Sequence, residues 1–293
     1  DGCRDKKKSK TIAVTVAHPD DETLWAGGTI LSHPSWKWFI VCLCRGSDTE
    51  RAPRFYKALK VLKSEGIMGD LDDGPEQKPL DEKEVERAIL DLLPPKHFDL
   101  IISHNPTGEN TRHVRHEEAS KAVIKLWHAG KISTNELWTF AYEDGNKEYY
   151  PRPVENAPIY RTLTKRIWLR KYSLITGTYG FEKSSFEAET TPLAESFWQF
   201  FNPNDAKKWL NNVYTLLDKE VAASIRLQAA DSILDRAGFA RQTKVETNAP
   251  PQMVIPGIER LSIEQLTALA TGVTAGMRPQ PAVIDVTTGD ETP

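Results

Sequence analysis

The chain has 293 residues, 39% of them hydrophobic and 27% charged, with a formal net charge of −3. That length fits one large domain or a domain with an appendage, and the near-neutral balance excludes a global basic field that would recruit nucleic acid or an anionic membrane. No stretch approaches the roughly 18–20 consecutive apolar residues that cross a bilayer, so no membrane span is expected.

The first ten residues, DGCRDKKKSK, carry neither an initiator Met nor the apolar core of a secretory signal, and they read as a disordered, trimmed N-terminal segment with what lies upstream left open. TIAVTVA (11–17) is β-branched and almost wholly apolar, the pattern of a strand buried on both faces. It ends at HPDD, after which ETLWAGGTILSH has helical spacing. WKWFIVCLC (36–44) is a second buried strand, followed by the turn RGSD and a helix over about 50–65. GIMGDLDDG holds a short third strand, and DEKEVERAILDLLP (81–94) is an amphipathic helix with Val85, Ile89 and Leu92 on one side, stopped by Pro94 and Pro95. FDLIISH (98–104) is a fourth strand, HEEASKAVIKLWHAG (116–130) a helix closing on Gly130, and ELWTFAY (136–142) a fifth strand.

Residues 150–200 read as irregular, with a helix near 160–174. From 204 a helical extension is predicted, with its main run ending at Gly238 and its boundary placed at 245. Residues 246–293 read as a linker, a short helix and a disordered tail. Cys42 and Cys44, two apart on one strand, are predicted to share a face as buried free thiols, which places the protein in a reducing cytoplasm; Cys3 completes no disulfide framework.

Strands alternating with helices imply a doubly wound, mostly parallel α/β sheet over 11–203. Ligands of such sheets bind at the carboxyl ends of the strands, near the reversal of strand order. HPDD follows the first strand and HNPTGENTRHVRH follows the fourth, so both polar clusters are expected on one rim.

Zinc takes nitrogen and oxygen ligands and keeps a position open for water in catalytic sites. His18 and Asp21 stand three residues apart across a strand-to-helix turn stiffened by Pro19, a spacing that lets both converge on one metal. Asp20 between them is turned elsewhere and is free to face a water as general base. His113 and His116 share a helix face at i, i+3; one completes the metal site and the other stands beside the substrate. The plain alternative is that Asp20 and Asp21 merely cap the following helix. His33, His97, His104 and His128 lack comparable partners and are assigned to the structure.

AHPDDE (17–22), CRGSD (44–48) and HNPTGENTRHVRH (104–116) resemble the PIG-L/LmbE family of zinc-dependent de-N-acetylases, in order and spacing over about 11–142 and more loosely to 200. The resemblance implies a Rossmann-like deacetylase fold and Zn2+ held by His18, Asp21 and His116. It also implies Asp20 as general base, His113 as stabiliser of the oxyanion or proton donor to the amine, and Arg45 in the substrate pocket. Many members carry an acid between the two histidines; here Arg115 stands there, so either Arg115 points away or His113 works as a neutral donor. The implied partner is a small N-acetylated sugar or glycoconjugate, with no nucleic acid at the catalytic domain.

Segment 222–246 resembles, more loosely, small terminase-like phage packaging proteins, and the extension either packs on the sheet or pairs with another subunit. The competing readings are a zinc amidase acting on a non-sugar amide and a non-catalytic assembly protein whose tail is the working part.

Overall fold

The computed structural model describes residues 9–109 and 113–215. The chain divides into two compact units, Asp1–Ala230 and Asp231–Pro293, and the second lies wholly outside the described residues. The terminase-like segment 222–246, the linker and the short helix expected beyond it also lie outside them.

Five parallel strands form most of one sheet: β1 (Thr11–Val16), β2 (Lys37–Cys44), β3 (Glu65–Leu71), β4 (Leu100–Ser103) and β5 (Leu137–Phe140). The helices between them are α1 (Asp21–Ser32), α2 (Arg51–Leu62), α3 (Glu82–Leu92) and α4 (Val114–His128). Two further strands, β6 (Ile159–Thr162) and β7 (Ala194–Phe200), close one edge, giving the order β6-β7-β5-β4-β1-β2-β3. β1 pairs in parallel with both β2 and β4, β7 is antiparallel to β5, and β6 is antiparallel to β7. The winding reverses between β1 and β4, which makes that gap the ligand-binding crevice of a doubly wound sheet.

β1, β2, β4 and β5 are largely buried on both faces because helices cover both, whereas the edge strands β3 and β6 are mostly exposed or half-buried. Ile12, Val14 and Val16 of β1 belong to the core under α1 and α2, whereas Ala13 belongs to the core under α3 and α4. Cys42 and Cys44, expected on one face, fall in opposite cores. The register against β3 shifts between them, so the period-two rule fails at a bulge. Both thiols are free and buried; burial pushes Cys44 up to about 12 and Cys42 well above the usual thiol range, so neither is a nucleophile at neutral pH.

The segment 150–200 is less irregular than its prolines suggest. The helix expected from 160 begins only at Lys165: α5 (Lys165–Ser173) is capped by the Thr164 hydroxyl, which accepts from the Ile167 amide. Residues 159–162 before it are a strand. α5 runs into a π-turn over Leu174–Thr178, and α6 (Phe186–Thr190) follows. β7 is held to the rest by a fully buried pair, Lys171 Nζ to Glu195 Oε1 at 2.7 Å. Glu195 also accepts from the amides of Gly28 and Thr29 in α1, each at 2.7 Å. A Cβ on Gly28 would stand 2.9 Å from that carboxylate and 2.5 Å from Leu163, so the approach requires glycine.

Residues 203–215 are helical, and the start of the expected extension is therefore part of the core. Ala206 and Leu210 are buried with Val123 and Leu137, and Trp209 packs on Phe200 at 5.1 Å. Leu210→Ala is expected to cost about 2–5 kcal/mol, the range for emptying a buried leucine site, read as a lower urea midpoint at unchanged slope. No helix among the described residues is long and apolar enough to cross a membrane.

Candidate metal centre and its cleft

β1 ends at Val16, and the next residues turn over the carboxyl edge of the sheet beside the loop that leaves β4. Pro19 and a left-handed Asp20 shape this turn. Asp20 has φ 130° and ψ −27°, a conformation that L side chains rarely adopt. The twist separates the two adjacent acids. Asp21 points down into a histidine cluster, while Asp20 faces Arg51 at the start of α2, Oδ1 to Nη1 3.8 Å. The Asp20 side chain makes no capping bond to α1, and Asp21 is committed to the cluster, so the plain capping role does not describe them.

Three donor atoms meet at nearly equal distances. His18 Nδ1 lies 3.2 Å from His116 Nε2 and 3.3 Å from Asp21 Oδ2, and His116 Nε2 lies 3.3 Å from the same oxygen. Ligands about 2.0–2.1 Å from a zinc ion at tetrahedral angles stand about 3.3–3.4 Å apart. The triangle therefore has the size of one face of a zinc tetrahedron, and the donor set fits the metal that the sequence implies.

The outer nitrogens of both rings are held by carboxylates. His18 Nε2 is 3.1 Å from Asp73 Oδ1, and His116 Nδ1 is 2.6 Å from Glu109 Oε2, off the line of an ideal N–H donor. Such partners fix the tautomer and raise the basicity of a ligating imidazole. Asp73 also accepts from Gln77 at 2.8 Å and from Arg45 Nε at 2.7 Å. Burial opposes charge throughout, yet Asp21 and Asp73 are held well below the usual carboxylate range, Asp21 by the rings of His116, His104 and His18 and Asp73 by His18, Gln77 and Arg45. His18 is shifted upward against burial by Asp21 and Asp73, and His116 by Asp21 and Glu109. The local field is built for positive charge at the triangle.

His104, assigned to the structure from the sequence, belongs to this cluster. It stacks on His116 at 3.9 Å, and its Nε2 is 3.4 Å from Asp21 Oδ2, so Asp21, His104 and His116 form a second group of metal-ligand geometry. Burial lowers its pKa while Glu109 and Asp21 raise it, with a net shift to about 9. The Ala17 amide, however, donates to Nε2 at 2.9 Å, and only an unprotonated nitrogen accepts it. That contact decides the tautomer: His104 gives Nδ1–H to Glu109 at 2.8 Å and spends its Nε2 lone pair on the backbone. Its lone pair is thereby withdrawn from metal binding.

His113 precedes α4 and stacks on His116 at 4.0 Å, edge-on to His18 at 4.9 Å. Its Nδ1 is buried without a hydrogen-bond partner among the described residues. Burial, then His116 and His18, push its pKa down to about 3, so the ring is neutral at pH 7. Arg115 has no part in this. It turns away and anchors the loop after β3, with Nε to Asp72 O at 2.6 Å, Nη1 to Glu118 at 2.7 Å and Nη2 to Lys78 O at 2.8 Å. His33, His97 and His128 lie elsewhere: His33 bonds Thr29 O, His97 bonds Ser133, and His128 is exposed at the end of α4.

His18, Asp20, Asp21, Asp73, His113 and His116 line a cleft of about 280 Å³ that also takes in Arg45, Arg51, Trp25 and Phe186. Arg45, placed at the substrate from the sequence, reaches its wall with φ 64° and is tied to Asp73. Behind Asp20 stands Glu22, fully buried. It accepts the Asp20 amide at 3.2 Å and the Tyr179 hydroxyl at 2.6 Å. Sequence reasoning passed over Asp73, Glu109, Glu22 and Tyr179. Asp73 follows β3 on the same carboxyl rim, and Glu109 lies inside the very loop that supplies the histidines, so strand-end position was the available signal for both.

Residues 13–127 match the PIG-L family model, GlcNAc-PI de-N-acetylase; the resemblance read from the sequence holds over that segment, which is less than half of the chain. The uncharacterized protein L374 of Acanthamoeba polyphaga mimivirus is 24% identical over 151 residues, 46% of this chain and 63% of its own length. The chain thus spans less than two thirds of that curated relative. Among solved structures, the N,N'-diacetylchitobiose deacetylase from Pyrococcus horikoshii has the same fold, with a TM-score of 0.51 and 15% identity over 67% of this chain and 85% of that one. The 4-carboxy-2-hydroxymuconate hydratase from Pseudomonas putida KT2440 overlaps with a TM-score of 0.45 and 17% identity, over 66% of this chain and 97% of that one.

Proposed function

We propose that the chain is a zinc-dependent hydrolase that removes the N-acetyl group from an N-acetylated amino sugar or sugar conjugate, acting in a reducing cytoplasm. The observation that carries this reading is the donor triangle of His18, Asp21 and His116, with Asp20 turned out of it on a strained backbone. In this assignment His18, Asp21 and His116 hold zinc, Asp20 is the general base, His113 the oxyanion donor, and Arg45 a substrate contact. Bound there, zinc would lower the pKa of a water and polarise the acetyl carbonyl.

The chain's own groups supply the rest. Burial and the Asp21 carboxylate raise the Asp20 pKa well above the usual range, against Arg51 and His18, which makes Asp20 a stronger proton acceptor than a solvated aspartate. It takes a proton from the attacking water. His113, neutral at pH 7, donates an N–H hydrogen bond to the oxygen that gains charge as the carbonyl becomes tetrahedral. A neutral imidazole has no second proton to give readily, so the proton that reaches the departing nitrogen is the one held by Asp20. Acetate and a free amine result. Arg45 offers its guanidinium to substrate oxygens at the mouth while Asp73 fixes its direction.

Glu109→Gln keeps the size of the side chain but weakens the acceptor behind His116 and His104. Its zinc affinity is expected to fall about 10–100-fold, the usual effect of removing an outer partner, measured by competition with a chelator. The function itself is tested by acetate release from a panel of N-acetylated hexosamines alongside N-acetylated amino acids. Release from the sugars alone supports the reading. Release from the amino acids alone makes the chain an amidase of non-sugar amides, and release from neither leaves the non-catalytic assembly role.

A further inference from the structure

A second concavity, about 940 Å³, adjoins the candidate cleft and is more than three times its size. Phe186 of α6 lines both, so α6 is their common wall. Beyond it the lining is aromatic: Tyr149, Tyr150 and Tyr160, with Tyr150 meeting Phe186 at 5.8 Å between ring centres. Tyr150 is 50% exposed and Tyr160 40% exposed, so both rings offer an uncovered surface. Tyr149 is instead pinned. Arg152 lies 4.4 Å over its ring, and Gly145, at φ 58°, leaves room for it where a Cβ would stand 2.4 Å away. None of these residues lies within the segment that matches the family model.

Carboxylates stand among the rings. Asp144, Glu148, Glu155 and Glu189 outnumber Lys147 and Arg152 by four to two. The acid excess disfavours an anionic ligand such as a phosphate or uronate, and the density of charge disfavours a bare hydrocarbon chain, which would desolvate those groups without repaying them. Ring faces that bury apolar C–H surface, beside acceptors for hydroxyl groups, suit a neutral sugar.

We propose that this groove binds a neutral saccharide unit joined to the N-acetylated sugar, so that the substrate is at least a disaccharide. The proposal rests on the deacetylase reading for what occupies the cleft. Its test compares N-acetylglucosamine, a disaccharide of N-acetylglucosamine with galactose, and the octyl glycoside of N-acetylglucosamine, using the wild type, Tyr150→Ala and Tyr160→Ala. The wild type is expected to have at least about tenfold higher kcat/KM on the disaccharide than on the monosaccharide, the scale of one or two well-packed aromatic contacts. Each variant is expected to lose most of that factor through KM, with monosaccharide turnover unchanged.

Equal rates on all three substrates, equal losses on mono- and disaccharide, or a preference for the octyl glycoside would overturn the groove's assignment. Calorimetric binding of the same disaccharide separates this proposal from the chemistry. If no acetate is released but binding is present and weakened about tenfold in both variants, the groove stands and the hydrolase reading falls. If binding is absent or insensitive to both tyrosines, the groove assignment falls.

Discussion

Asp20→Asn is expected to lower turnover by about 10²–10⁴-fold, the range for removing a positioned acid or base, while zinc content and KM stay near the wild-type values. Asparagine preserves volume and tolerates a positive φ as well as aspartate does, so the turn keeps its shape and Asp21 keeps its place. Only proton acceptance is lost. The side chain is outside the donor triangle and turned toward Arg51, which is why metal occupancy should not follow activity. Steady-state kinetics with metal analysis on the same sample reads both. Activity within a few-fold of wild type would remove Asp20 from the reaction, and loss of zinc in step with activity would make it a ligand.

A related, smaller effect separates position from chemistry. Tyr179→Phe removes the hydroxyl that holds Glu22, and Glu22 in turn holds the Asp20 amide. Turnover should fall while zinc and KM are unchanged, and the fall should be smaller than that of Asp20→Asn because the base itself remains.

Four strands of the parallel half, β1, β2, β4 and β5, were legible because they are buried on both faces and therefore written as apolar runs between helices of clear periodicity. Edge strand β3, EGIMGDL, by contrast buries only Met68. The antiparallel edge was not legible. β6 reads IYRT between a proline and a capping threonine, too short to show a period, and β7 reads AESFWQF, whose Glu195 looks like a surface residue until Lys171 and two α1 amides are seen around it. Cys42 and Cys44 mislead for a different reason, since a bulge is a backbone event that leaves no mark on a two-residue spacing. At the site, His18, Asp20, Asp21, His113 and His116 could be found from strand-end position and histidine spacing, Arg45 came only through the family resemblance, and all six line one cleft. The residues that hold them came from elsewhere in sequence. Asp73 lies 55 positions from His18, and Tyr179 lies 157 positions from Glu22, distances over which a single sequence carries no pairing signal. His104 shows the converse limit. Its neighbours bring it into the cluster, and only the Ala17 amide on Nε2 shows that its lone pair is already engaged.

Among the described residues three donor groups share His116, paired with His18 and Asp21, with Asp21 and His104, or with His18 and His113, and zinc occupancy decides among them. If His18, Asp21 and His116 are the ligands, His18→Ala and His116→Ala should each weaken zinc binding by at least about 100-fold, beyond the 10–100-fold of an outer partner. His104→Gln should keep full occupancy at saturating zinc, with only a modest loss of affinity, because glutamine can still accept the Ala17 amide. His128→Ala, exposed at the far end of α4, should change nothing. Asp21→Asn replaces a charged oxygen at the triangle's shared corner and also weakens the acceptor of the His18 amide at 2.8 Å. Its zinc affinity should fall with activity, and excess zinc should restore part of the activity, whereas the same excess does nothing for Asp20→Asn. The comparison is made by elemental analysis after dialysis and by titration with a competing chelator, with circular dichroism to confirm that each variant is folded. A folded His18→Ala that retains zinc while His104→Gln loses it would move the metal to the inner group. Retention of zinc by His18→Ala, His116→Ala and Asp21→Asn alike would mean that the cluster is a buried hydrogen-bonded network with no metal of its own.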